Sequence, residues 1–129
     1  MKPESLATRN ALATVAVKDL ARARAFYEGT LGLEPVEGDE GGVQGYRAGS
    51  STIIVYESAF AGTNQATSVT WPLGDDLEPI VRDLKAKGVT FEHYDMPNAT
   101  HDGDIHVFGR ARVAWFKDPD GNIFNLGNF

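Results

Sequence analysis

A short, mostly apolar run near the start of the chain is followed by apolar residues at a helical period. Residues 11–17 (ALATVAV) predict a strand, with Ala13, Val15 and Val17 on one face and Leu12, Thr14 and Ala16 on the other. Asp19 follows as a helix N-cap, and apolar residues recur at helical spacing up to Gly32, a candidate left-handed C-cap. Short strands are predicted next at about 33–37, 43–48 and 51–57. The first half of the chain therefore has the order β-α-β-β-β.

The second half of the chain repeats this order. Residues 69–73 are predicted as a strand, Asp75 or Asp76 as the cap of a helix, and Gly88 as its end. Strands are predicted at 89–94, about 104–108, 111–117 and 122–126. One half alone would leave a sheet face uncovered, so the repeat predicts two paired modules. We expect a single domain over 1–129, with module one at about 10–58, a linker at about 59–66 and module two at about 67–127.

Length and composition fit one soluble domain. Of 129 residues, 42% are hydrophobic and 23% charged, which is typical of a globular domain with a single core. The formal net charge of −6 disfavours nucleic acid as a partner, because phosphate binding needs clustered Lys and Arg. No apolar run is long enough to span a bilayer, and residues 1–9 form a polar lead-in without a secretory signal pattern. Cysteine is absent, so we expect a cytoplasmic protein without disulfides or thiolate metal sites.

Three separated motifs carry a resemblance to a known family: VKDLARARAFYEGTLGLEPV at 17–36, LKAKGV at 84–89 and AWFKDPDGNIFNL at 114–126. Together they resemble the vicinal oxygen chelate superfamily, of the glyoxalase, bleomycin resistance protein and dioxygenase type, over about residues 10–127. The resemblance implies an α+β fold of two tandem βαβββ modules. These would form a curved, cup-shaped mixed sheet with helices on the outer face. It also implies a homodimer with a site in or near the cup.

The resemblance also implies where a metal would bind. Metal-using members place four His, Gln or Glu ligands in the cup, on the first and last strands of each module. The position seven residues before the capping Asp is Leu12 in module one and Val69 in module two. The last ligand, after the DPDGN turn, corresponds to Asn125, and its counterpart in module one is Val55. Three of these side chains cannot bind a metal and the fourth is a weak neutral donor, so no cofactor is predicted and a divalent metal is kept as the alternative.

Strand alternation predicts which side chains line the cup. The expected wall is mostly apolar, contains one indole and a few polar groups, and suits a small-molecule ligand. Its predicted members are Leu12, Thr14, Ile53, Val55, Val69, Trp71 and Asn125, with Glu57 near a rim. For Trp71 the alternative is a core aromatic, for Asn125 a structural amide, and for Glu57 a solvated strand end. Glu57 is also the one nearby replacement for a metal ligand.

Clustered donors occur in one segment, His101 to His106 (HDGDIH). It could supply a catalytic histidine with an orienting aspartate, or a metal site outside the family pattern. A mobile loop across the mouth of the cup is the favoured interpretation, because the segment contains glycine between predicted strands. Glu57, His101 and His106 are therefore the catalytic candidates. Trp115 and Phe116 alternate along one strand, so that one points into the cup and the other under the helices; the pattern does not say which.

The sequence leaves three functions open. The first is a binding protein that sequesters a hydrophobic or cationic small molecule without a classical metal centre, as bleomycin resistance proteins do; the negative net charge would attract a cationic drug. The alternative is a glyoxalase-type lyase or isomerase, or a dioxygenase, with a non-standard metal or acid–base site. The third is a structural role, with the cup closed by its own side chains. We expect a homodimer with a small-molecule ligand, and neither nucleic acid nor membrane as a partner.

Overall fold

The order of strands and helices follows the predicted repeat. The computed structural model describes residues 6–8, 10–36 and 41–129. Module one contains β1 (Ala13–Val17), α1 (Leu20–Arg24, continued by a π-helical turn over Ala25–Thr30), β2 (Glu34–Pro35), β3 (Val43–Ala48) and β4 (Ser51–Glu57). Module two contains β5 (Thr67–Pro72), α2 (Leu77–Ala86), β6 (Phe91–Glu92), β7 (Thr100–Asp102), β8 (Ile105–Phe108), β9 (Ala111–Lys117) and β10 (Ile123–Gly127).

Two short segments complete this description. Single 3-10 turns occur at Leu6–Thr8 and Gly74–Asp76, and the second of them leads directly into α2. Most of the predicted polar lead-in and the end of the strand predicted at 33–37 lie outside the described residues. Within the described ranges, no helix is long and apolar enough to cross a membrane.

Each module forms its own mixed sheet. The strand order is β1-β4-β3-β2 in the first sheet and β5-β10-β9-β8-β7 in the second, where β6 also pairs with β9. In both modules the first strand is parallel to the last, and the remaining pairs are antiparallel. The predicted α+β class with two related modules is therefore confirmed.

Module two differs from module one by an inserted hairpin. Strand β6 pairs with Trp115 and Phe116 at one end of β9, whereas β8 pairs with residues 111–113 at the other end. Strands β7 and β8 form the insertion, and His101 pairs with His106 across it. The loop predicted over 101–106 is thus wrong. Gly103, at φ +61°, makes the tight turn of the hairpin, because glycine adopts this conformation without steric cost.

The central strands of both sheets have one side toward the helices. In module one, Val15 pairs with Val55 and both are buried in the core with α1. In module two, Phe116 pairs with Phe124 and both are buried in the same core. The neighbouring residues along each strand point to the opposite side, because side chains alternate across a strand. We call this second side the open face.

The N-terminus of α1 is capped by two carboxylates. Asp19 Oδ1 accepts hydrogen bonds from the backbone N–H groups of Ala21 and Arg22, as predicted for an N-cap. Glu57 Oε2 accepts from Leu20 N at 2.9 Å. Glu57 pairs with Val17 and so belongs to the helix side of β4, which makes its predicted place near the rim of the cup wrong. A carboxylate here also lies near the positive end of the helix dipole.

Substitution of Glu57 should change stability. We expect Glu57→Ala to lower the free energy of unfolding by about 1 kcal/mol, because a backbone N–H at the helix start loses its acceptor. Glu57→Gln keeps an acceptor oxygen and should lose less than half as much. Urea unfolding of the two variants measures the difference. Equal stability of all three proteins would contradict the capping role.

A buried polar group joins the two modules. The Asp118 carboxylate, 4% exposed, accepts from the Tyr27 hydroxyl at 2.7 Å. It also accepts from the backbone N–H and the side-chain amide of Asn122 at 2.8 and 2.9 Å. The same Asn122 amide donates to the carbonyl oxygen of Ala16 in β1 at 2.7 Å. Burial, together with the Asp118 carboxylate, raises the pKa of Tyr27 far above its ordinary value, so its hydroxyl remains a donor.

Candidate functional site

The open face of the second sheet carries Trp115. Trp115 in β9 pairs with Asn125 in β10. These two residues are next in sequence to the buried pair Phe116 and Phe124, so their side chains point to the opposite face. The sequence does not say which of the two neighbouring aromatic side chains points into the cup. In the structure, Phe116 lies under the helices, and Trp115 is half-buried on the open face.

A cleft of about 720 Å³ lies beside this indole. It is bounded by the open face of β9 and β10, by the linker between the modules and by the segment after β6. A volume of this size is within the range of pockets that hold small molecules. The lining residues are Gly62, Asn64, Gln65, Ala66, Thr67, Tyr94, Met96, Trp115, Lys117, Gly121 and Ile123.

Aromatic rings pack edge to face around Trp115. Its ring centroid lies 5.4 Å from that of Tyr94 and 5.0 Å from that of His106, with interplanar angles of 70° and 85°. His106 is fully buried and lies beneath the cleft wall rather than in it. Edge-to-face packing fixes the orientation of aromatic rings. The indole is therefore held in place as one wall of the cleft.

Few polar groups accompany these rings. The Trp115 indole N–H donates to Thr67 Oγ1 at 3.2 Å, which ties β9 to the start of β5. Lys117 Nζ lies 3.6 Å from Glu92 Oε1, so the charge of the one cation in the cleft lining is partly offset by a neighbouring carboxylate. The amides of Asn64 and Gln65 supply further donors and acceptors. Such a cleft can stack a planar ring and hydrogen-bond its substituents.

The predicted site residues of module one separate onto two faces. Thr14 pairs with Ile54 on the open face, and Leu12, two residues earlier, belongs to the same side and is half exposed. Ile53 and Val55 are buried in the core on the helix side. Their predicted place in the cup wall is wrong. The prediction puts them on the face of Leu12 and Thr14, but they pair with Ala13 and Val15, whose side chains point to the other face.

The predicted site residues of module two separate in the same way. Asn125 lies on the open face, and its amide donates to the carbonyl of Ala114 at 3.4 Å. Val69 and Trp71 pair with Phe124 and Leu126, so both lie on the helix side and their predicted place in the cup is wrong. A register shift next to Ile123 is the physical reason, because it moves β5 by one residue relative to β10.

Trp71 lines a separate small cavity. Its ring meets that of Phe124 edge to face at 5.7 Å. The cavity, about 250 Å³, lies between the sheet and the helices rather than on the open face. Leucine and isoleucine side chains form most of its remaining lining: Leu31, Leu33, Leu73, Ile80, Leu84 and Leu126. Trp71 is therefore a core aromatic residue, the alternative that the sequence leaves open for it.

The residues at the predicted metal positions do not fit a divalent ion. On the open face, the strand partners of Thr14 and Asn125 are Ile54, Thr70 and Trp115. None of these side chains is a carboxylate or an imidazole, the donors that hold Zn²⁺ or Mn²⁺. In the part of the chain that the structure describes, no three His, Cys, Asp or Glu side chains are arranged to hold a metal. The absence of a cofactor stays a prediction.

The cleft contains residues that the sequence patterns did not single out. Tyr94 and Met96 lie between β6 and β7, where no hydrophobic period marks a buried side. Residues 62–66 were predicted only as a linker, although they form one wall. Lys117 and Ile123 flank the DPDGN turn, and their alternation with Phe116 and Phe124 is the signal that could have placed them on the open face.

Substitution of Tyr94 tests how its side chain is packed in the cleft wall. Its hydroxyl is buried and has no hydrogen-bond partner among the described residues. Because a buried unsatisfied hydroxyl costs about 1–3 kcal/mol, we expect Tyr94→Phe to leave stability unchanged or raise it by about 1 kcal/mol. Tyr46→Phe is the matched control, since the Tyr46 hydroxyl donates to Glu28 at 2.8 Å and its loss should destabilise. Thermal unfolding of the two variants distinguishes them; a large loss in Tyr94→Phe would contradict the assignment.

The sequence model of the Glyoxalase/Bleomycin resistance protein/Dioxygenase superfamily matches residues 10–126. A search of curated proteins found no match.

Several solved structures have the same fold at low sequence identity. The bleomycin resistance determinant encoded on transposon Tn5 is 23% identical, with a TM-score of 0.69 over 93% of this chain and 97% of that one. The fosfomycin resistance protein FosX from Listeria monocytogenes is 18% identical, with a TM-score of 0.69 over 93% and 92%. The lactoylglutathione lyase from Agrobacterium tumefaciens is 19% identical, with a TM-score of 0.66 over 93% and 92%. At these identities the likeness concerns the fold alone.

Proposed function

Because the chain belongs to the Glyoxalase/Bleomycin resistance protein/Dioxygenase superfamily, we propose that it binds a planar, partly hydrophobic small molecule in the cleft beside Trp115. Binding requires no classical metal centre in this proposal. The observation that carries it is the indole of Trp115, fixed by two aromatic neighbours and forming a wall of a cleft large enough for a small molecule.

The charge of the protein favours a neutral or cationic ligand. The net charge is −6, which raises the local concentration of cations and speeds their encounter with the protein. The one cationic residue of the cleft lining, Lys117, has its Nζ 3.6 Å from Glu92 Oε1, so its positive charge is partly offset by a neighbouring carboxylate. This combination fits a sequestering protein for a cationic drug with planar rings, as one structural neighbour is named for bleomycin resistance.

An acid–base enzyme is less well supported by the positions of the candidate groups. Glu57 caps α1 on the helix side of the first sheet. His101 and His106 lie on the inserted hairpin of the second sheet. General acid–base catalysis needs such groups within hydrogen-bond reach of one substrate, and Glu57 lies on a different sheet from the two histidines, of which His106 is fully buried. The structure therefore favours binding over the glyoxalase-type reaction.

We also propose that the protein is a cytoplasmic homodimer. The open face of the first sheet exposes large apolar side chains: Leu12 is 51% exposed, Tyr56 37% and Val43 36%. Val43 and Tyr56 are strand partners, exposed apolar side chains are typical of an interaction surface, and closed dimers are the commonest oligomers. Sedimentation equilibrium measures the mass. A monomer at all accessible concentrations would contradict the dimer without affecting the cleft.

Isothermal titration calorimetry with bleomycin tests the proposed function. Bleomycin has planar heteroaromatic rings and a cationic tail, whereas fosfomycin is small, anionic and non-planar and serves as the comparison ligand. Protein dialysed against a chelator should bind bleomycin saturably, with one molecule per cleft, and should bind fosfomycin far more weakly. Binding of fosfomycin alone, or binding of bleomycin only after a divalent metal is added, would overturn the proposal.

A further inference from the structure

The segment after β6 forms a wall of the cleft, although no strand holds it. Strand β6 ends at Glu92 and β7 begins at Thr100, and between them Tyr94 and Met96 line the cleft. Both backbone groups of Tyr94 are bound by side chains instead of by a neighbouring strand. Its N–H donates to His106 Nε2 at 2.9 Å, and its carbonyl oxygen lies 3.2 Å from His101 Nε2.

The three histidines of the chain meet at this segment. The His101 ring lies 4.5 Å from that of His106 and 5.6 Å from that of His93, between centroids. His93 Nε2 lies 2.7 Å from Asp104 Oδ1, in the turn of the inserted hairpin. Each histidine therefore contributes one hydrogen bond between the 93–96 segment and the hairpin β7–β8.

The chemistry of these bonds fixes where the protons are. A carbonyl or carboxylate oxygen can only accept, so Nε2 of both His101 and His93 must donate. A backbone N–H can only donate, so Nε2 of His106 must accept and carries no proton. The neutral ring of His106 therefore holds its proton on Nδ1. Among the described residues, Nδ1 has no hydrogen-bond partner, and the side chain is fully buried.

We infer that His106 is a positioning residue for the cleft wall, and that protonation of its ring releases Tyr94 and weakens ligand binding in the cleft. A second proton would go to Nε2, where two N–H groups would then face each other. The hydrogen bond that holds Tyr94 would be lost and replaced by a repulsive contact. The ring centroids of Tyr94 and Trp115 lie 5.4 Å apart, so a displaced Tyr94 would no longer hold the indole in its orientation.

None of the described groups packed against the His106 ring carries a negative charge that would offset a positive one. The neighbours on β7 and the 93–96 segment are the imidazoles of His101 and His93 and the phenol of Tyr94, and the neighbour on β9 is the indole of Trp115. The nearby carboxylates have other partners: Asp104 binds His93 and Lys85, Glu92 faces Lys117, and Asp102 binds Arg112. Within the described residues, no carboxylate is therefore bonded to the His106 ring.

The direction of the pKa shift agrees with this geometry. Burial, and then the neighbouring His101 imidazole, lowers the pKa of His106 below its ordinary value of 6.5, and the hydrogen bond that Nε2 accepts from Tyr94 N also favours the neutral ring. The folded state therefore binds the proton less well than the unfolded chain. The contribution of His106 to stability is complete above about pH 6.5 and decreases as the pH falls below it.

Hydrogen exchange at the Tyr94 amide tests the positioning role without any ligand. Between about pH 7.5 and about pH 5, NMR should show protection of this amide falling by about tenfold or more after correction for the intrinsic pH dependence. His106→Gln is the matched variant, because its side-chain oxygen can accept from Tyr94 N and does not titrate. Protection in His106→Gln should be independent of pH over this range. Unchanged protection in the wild type, or the same pH dependence in both proteins, would overturn the inference.

The effect on binding rests on the proposed function and is measured separately with bleomycin. Its dissociation constant should rise by about tenfold from about pH 7.5 to about pH 5 in the wild type and stay constant in His106→Gln. Absence of bleomycin binding at any pH would count against the proposed function, while Tyr94 exchange would still decide the positioning role. If His106→Gln does not fold, the wild-type exchange profile and the NMR titration of the His106 ring decide it. Loss of Tyr94 protection at a pH unrelated to the His106 titration would contradict the inference.

Discussion

Asp118→Ala is expected to lower the free energy of unfolding by about 3–5 kcal/mol, the largest stability effect that we predict for a single substitution. The carboxylate is almost fully buried and accepts hydrogen bonds from Tyr27, Asn122 and the backbone N–H of Asp120. Its removal leaves the Tyr27 hydroxyl and the Asn122 backbone N–H without their acceptor in the interior, and the Asn122 side-chain amide keeps only its bond to the Ala16 carbonyl. Because Tyr27 lies in module one and Asp118 in module two, the substitution also weakens the junction of the modules.

Two matched variants separate this role from a general effect of removing charge. Asp102→Ala also removes a carboxylate, but its pair with Arg112 is exposed, so the loss should be less than about 1 kcal/mol. Tyr27→Phe removes one bond to the carboxylate and should cost about 1.5–3 kcal/mol. Urea unfolding measures all three variants. A cost for Asp118→Ala no larger than that for Asp102→Ala would show that the buried group does not join the modules.

Trp115→Ala is expected to weaken binding of bleomycin by about 100-fold, because a buried aromatic anchor contributes about 2–4 kcal/mol to a binding site. The indole is the largest rigid surface in the cleft lining, and stacking on it is the main interaction that the proposal offers to a planar ligand. The substitution also removes the donor to Thr67, so its effect on folding must be measured by thermal unfolding beside the titration.

The second tryptophan of the chain provides the control for this prediction. Trp71 packs on Phe124 on the helix side, away from the cleft. Trp71→Phe should therefore reduce stability and leave the affinity for bleomycin within about twofold. Trp115→Phe keeps an aromatic face and should retain most of the affinity. Equal losses of affinity in Trp71→Phe and Trp115→Ala would point to destabilisation rather than to a contact with the ligand.

Much of the fold could be predicted from the sequence, because its local patterns are strong. The Asp19 cap, the left-handed Gly32 at φ +70° and the repeated order of strands follow from rules that act within a few residues. The hairpin around Gly103 is harder to predict, because glycine is typical of a loop as well as of a hairpin turn. The Asp-Gly pair between strand-forming residues is the local signal for the pairing of His101 with His106.

The site was harder to predict, because its faces depend on register. An error of one residue moves every side chain of a strand to the other face. Such an error placed Val55 in the cup, and the register shift at Ile123 did the same for Val69 and Trp71. The contribution of Tyr94 and of the linker depends on contacts between distant segments, which no local pattern encodes. The sequence predicts that Trp115 and Phe116 lie on opposite faces, and the pairing of β9 with β10 shows that Trp115 is the one on the open face.

The most direct test of a ligand site at Trp115 is an NMR titration that follows the indole N–H signals of the two tryptophans, assigned with Trp71→Phe. The titrants are bleomycin and a set of planar heteroaromatic fragments, added to protein freed of metal by a chelator. The proposal predicts that the Trp115 signal shifts in a saturable manner while the Trp71 signal stays in place. If no titrant moves the Trp115 signal, or if only the Trp71 signal moves, the cleft beside Trp115 is not the ligand-binding site.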